Sequence, residues 1–83
     1  MTNLKPTPQE IAEENKKIRM LRLMVDLTMS LISQGKMTRE EALEYFMKVK
    51  DFALRLFPGK EVAFELIYAP RFKRIINEIY RLH

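Results

Sequence analysis

The sequence predicts an all-α fold: an antiparallel helical hairpin, a short helix and a C-terminal helix, forming a small bundle completed by dimerisation. Three observations predict it. Apolar residues recur at helical spacing along most of the chain. Two strings, Thr7-Pro8-Gln9-Glu10 and Thr38-Arg39-Glu40-Glu41, carry the residue types that open helices. Residues 20–32 are apolar at nine of thirteen positions, more than one buried stripe requires.

Residues 1–6 read as a flexible arm. The first helix then starts with Thr7 as N-cap and Pro8 at the first helical position, where its missing N–H leaves no hydrogen bond unmade. Glu10 completes a capping box, and the helix is expected to run over about residues 8–33. Gln34-Gly35-Lys36 ends it, with Gly35 suited to the left-handed position after a helix. Projected at 100° per residue, this helix shows two apolar stripes. One is Ile18, Leu21, Met24, Val25, Met29 and Ile32; the other is Met20, Leu23, Leu27 and Leu31. The polar wedge between them is narrow, so the helix should be surrounded by its own chain or by a second copy.

The second helix is expected over about residues 38–57, ending at Pro58-Gly59. Its apolar arc holds Ala42, Leu43, Phe46, Met47, Val49, Ala53, Leu54, Leu56 and Phe57. A loop of about four residues between two such helices makes an antiparallel pair. Residues 61–68 could be a buried strand, but no second strand is available to pair with it, so a two-turn helix is expected. Pro70 then opens a last helix over about residues 70–82, with a stripe of Phe72, Ile75, Ile76 and Ile79.

Composition bounds the function. Eighty-three residues make a single small domain that buries only about 60–65% of its unfolded surface, which favours burial between subunits. The chain has no cysteine, and its one histidine is the last residue, His83, so neither a disulfide framework nor a zinc centre is expected. No apolar run follows the N-terminal residues, so no signal peptide is read, and residues 20–32 fall short of the roughly 20 apolar residues of a membrane span. A cytoplasmic protein without membrane contact is the expectation. The net charge of +4 permits an anionic partner without requiring one.

No arrangement points to catalysis. Ser30 and Ser33 have no histidine near them, and Glu10, Glu13 and Glu14 lack the Glu-x-x-His spacing of a carboxylate metal site. Phe57-Pro58-Gly59-Lys60-Glu61 places a Gly-Lys before a helix, but one glycine does not make a phosphate loop; a chain-reversing turn accounts for it. No enzyme activity, cofactor or metal is expected.

Three surfaces remain as candidates. Met20, Leu23, Leu27 and Leu31 would serve self-association or a helical protein partner. Met20, Met24, Met29 and Met47 would give that surface an adaptable component. Arg71, Lys73, Arg74 and Arg81, interleaved with Tyr68 and Phe72, would contact nucleic acid or another anion. As a helix-turn-helix, however, the segment is poor in base-reading side chains, so nucleic acid is not the favoured partner. Finally, Lys50 interrupts the apolar arc of the second helix, and counting back from the turn sets it near Asp26, which predicts a cross-hairpin ion pair. The expected function is therefore a small interaction or regulatory module acting through protein contacts. The alternative is a nucleic-acid-associated regulator using the basic C-terminal face.

Overall fold

The computed structural model describes residues 5–81. Part of the expected N-terminal arm, residues 1–4, and His83 lie outside the described residues. The chain forms a small all-α bundle of four helices: α1 (Pro8–Ser33), α2 (Arg39–Leu56), α3 (Glu61–Ile67) and α4 (Ala69–Ile79). Helix α4 packs against the other three, and α1 touches α2 and α4.

The helix starts follow from local chemistry. The Thr7 hydroxyl accepts from the Glu10 N–H at 3.1 Å. In α2 the exchange is reciprocal: the Glu41 N–H donates to Thr38 Oγ1 at 3.1 Å, and the Thr38 N–H donates to Glu41 Oε1 at 3.0 Å. That backbone N–H, and then the Thr38 hydroxyl, hold the Glu41 carboxyl below the usual carboxylate range. The full capping box expected at both starts is thus present only in α2.

Gly35 and Gly59 provide the reversals, with φ of +68° and +80°. Side chains with a Cβ are strained there, so both turns need glycine. Between α3 and α4 the break is one residue long, at Tyr68. Tyr68 caps both helices, and Pro70, which has no N–H to offer the preceding turn, breaks one rod into two. Residues 61–68 are accordingly helical rather than extended, with Phe64 as the buried anchor of α3.

The core is aromatic at its centre. Phe46 lies 5.2 Å from Phe72 and 6.0 Å from Phe64, centroid to centroid, tying α2, α4 and α3 together. Tilted rings at these distances add to the apolar area they bury. Helix α1 closes this core with Leu21, Val25, Thr28 and Ile32, a single stripe at helical spacing. No residue of 8–17 is buried, so the first turns of α1 stand beyond the body of the bundle.

Candidate functional site

The outer face of α1 is uncovered. Leu23 is 60% exposed, Leu27 54%, Met20 47% and Leu31 42%. These are four large apolar side chains along three turns, on a helix whose neighbouring stripe of Leu21, Val25, Thr28 and Ile32 is buried. Of the first stripe expected to be core, Leu21, Val25 and Ile32 are buried and Ile18 and Met29 half-buried, while Met24 is exposed. Thr28 takes a place in the core instead. The own chain therefore surrounds only one side of α1.

Beside this face the surface dips into an apolar groove of about 500 Å³ between α1 and α2. Met24, Leu27 and Leu31 form its α1 wall; Tyr45, Val49 and Phe52 form its α2 wall. Its rim carries Lys48, Asp51 and Arg55, charges of both signs. Lys48 also sits over the Tyr45 ring, 5.5 Å from its centroid, and so holds that ring at the mouth. The α2 wall is absent from the surface read off the sequence. Tyr45 and Phe52 lie at the edge of the α2 arc, and only the angle between the two helices shows that they continue the α1 face.

The basic candidates do not form one surface. Arg74 and Arg81 share a broad depression with Arg39, Glu40, Asn77 and Glu78. Lys73 lies in an adjoining dip, again with Arg39, and Arg71 lines neither. Arg39 belongs to this cluster because α4 packs across the start of α2, a placement that local sequence does not encode.

The expected Asp26–Lys50 pair is corrected. The Lys50 ammonium instead donates to Glu65 Oε1 on α3 at 2.6 Å. Lys50 lies on the flank of α2 that α3 folds over, so a carboxylate from α3 reaches it and one from α1 does not. The bond raises the Lys50 pKa above its ordinary value and lowers that of Glu65, with the hydrogen bond the largest cause in each. Both ends remain partly in solvent, so the lysine that broke the apolar pattern is a surface clasp.

The Gly59-Lys60 turn leads into a helix of seven residues without a side-chain cap, which gives it no phosphate-loop geometry. Among the described residues no group of three or more carboxylate or imidazole side chains is placed to hold a metal ion. Among them, too, no helix is long and apolar enough to cross a membrane. No protein-family model matches this chain, and neither does any curated protein or solved structure.

Proposed function

We propose that this protein is a non-catalytic helical interaction module whose α1 outer face and adjoining groove receive a helix from a protein partner. The observation that carries the reading is the run of exposed leucines on a helix already packed on its other side. Water-facing patches of that kind mark protein contacts. Helices α1 and α2, joined by five residues and packed together, are read as an antiparallel hairpin, and a partner helix laid along them would complete a bundle. A homodimer is the simplest form of that completion. The groove has the character helix-in-groove recognition needs, with apolar walls, methionine to adapt its shape and charges only at the rim.

A photo-crosslinking amino acid placed at Leu27 tests this in the cells that make the protein. A covalent protein adduct from position 27, with none from the polar position Glu13 on the projecting part of α1, is the expected result. No adduct at 27 overturns the reading.

One observation favours an anionic partner such as nucleic acid: Arg39, Arg74 and Arg81 gather around one depression. Glu40 and Glu78 stand among them and dilute the field, and the Glu41 amide at the start of α2 is already engaged by its cap. A nucleic-acid role would show as binding that falls steeply with salt and is lost in Arg74→Glu/Arg81→Glu.

A further inference from the structure

We infer that the partner on the α1–α2 groove is a second copy of this chain, so that two α1–α2 pairs form one four-helix core. This rests on the interaction reading above and names its occupant.

The first support is spacing. Along α1 the exposed row is Met20, Met24, Leu27, Leu31, with steps of four, three and four; the α2 wall of the groove is exposed Tyr45, buried Val49 and half-buried Phe52, with steps of four and three. Alternating steps of three and four are the seam of helices that pack side by side at a shallow angle, each knob entering a hole opposite. The groove therefore asks for a helical occupant with a matching row. The α1 row spans about 17 Å at 1.5 Å per residue. A second α1, carrying the same row, matches it in length and period under a two-fold axis, where one patch must complement itself.

The second support is area. The chain exposes 6738 Å², against about 5200 Å² for a compact monomer of its mass. The excess of about 1500 Å² per chain is larger than the roughly 800 Å² per partner of a standard interface, and the projecting residues 8–17 of α1 hold part of it.

The third is charge. The rim carries Lys48, Asp51 and Arg55. A two-fold axis can set such a mixed rim against itself, whereas a strongly acidic or basic partner meets no matching field.

The experiment uses the full chain. Sedimentation equilibrium is expected to give twice the 9.9 kDa of one chain. Leu27→Glu/Leu31→Glu should weaken association by more than about 100-fold, since both leucines line the groove and each is changed in both copies. Circular dichroism checks that this variant keeps its helices. Should it fail to fold, single cysteines decide, because the chain has none of its own. Leu27→Cys, near the middle of the row, should form a disulfide-linked dimer under mild oxidation, and Val62→Cys on the exposed face of α3 should not. A single-chain mass at all concentrations overturns the inference, as does a dimer that survives the double variant or crosslinks through position 62 alone. If the purified chain is monomeric while position 27 yields an adduct of another mass in cells, the second copy is excluded and the interaction reading stands. If neither appears, both fall.

Discussion

All the aromatic residues lie from Tyr45 onward, while α1 carries leucine, isoleucine, valine and methionine and no aromatic ring. The two regions differ in finish as well as composition. On one side Phe46, Phe64 and Phe72, all buried, interlock across three helices. On the other, the outer face of α1 presents leucine and methionine to solvent over the length of the bundle. Rigid rings with two torsions fix a geometry, and flexible aliphatic chains conform to whatever meets them. The contrast separates the part of the chain that specifies the fold from the part available to a partner.

Truncation on each side should break the comparison most sharply. Phe72→Ala removes a fully buried ring from the aromatic centre and should cost about 3–5 kcal/mol in equilibrium denaturation, at any protein concentration. Leu27→Ala should cost no more than about 0.5 kcal/mol in dilute solution, as for a surface position. In an associating chain its cost must grow as concentration rises, because only the assembled state buries Leu27. Equal, concentration-independent losses at the two positions would erase the distinction.

That distinction was legible in part. The excess of apolar surface on α1 is a property of its sequence periodicity alone, and the structure places the surplus where projection puts it, on Met20, Leu23, Leu27 and Leu31. Helix starts and the two reversals were legible for the same reason, since Thr7, Thr38, Gly35 and Pro58 act within a few residues of themselves, whereas α4, expected over about residues 70–82, ends at Ile79. What the sequence does not encode locally is which flank of α2 each helix covers. Lys50 therefore found Glu65 instead of Asp26, and Arg39 joined Arg74 and Arg81, through contacts between residues far apart in the chain. The open α1 wall was readable; the α2 wall of the groove required the packing angle.

The two helix starts extend the comparison at a smaller scale. Thr38→Ala removes the hydroxyl half of a capping box beside packed helix, leaving the backbone N–H to Glu41, and should lower global stability by about 1 kcal/mol. Thr7→Ala affects turns that bury nothing, so its effect should be local fraying, seen as faster amide exchange in the first turns with the denaturation midpoint unmoved. A change in the opposite sense is expected at Tyr80. Its hydroxyl is buried without a hydrogen-bond partner among the described residues. Tyr80→Phe relieves that desolvation and should leave stability unchanged or raise it by up to about 1 kcal/mol in the same denaturation assay.

The smallest expected effect belongs to the Lys50–Glu65 clasp, and its sign can be worked out. The Glu65 carboxyl titrates lower in the folded chain than in the unfolded one, so its contribution is present above the ordinary carboxylate pKa and is lost as pH falls through the lowered value. The Lys50 ammonium titrates higher when folded, so its contribution is present below the ordinary lysine pKa and is lost as pH rises through the raised value. Stability from the pair should thus form a plateau across neutral pH with a shoulder at each end. Glu41, held low by the Thr38 N–H, adds an acid shoulder of its own, so the wild-type profile alone does not isolate the pair. The difference in melting temperature between wild type and Lys50→Met, followed across pH, removes the Glu41 contribution. It should shrink towards zero at both extremes and stay positive but small between them, because both partners remain partly solvated. A difference independent of pH would mean that Lys50 stabilises α2 through the packing of its aliphatic stem, and that α3 is held by Phe64 without help from the clasp.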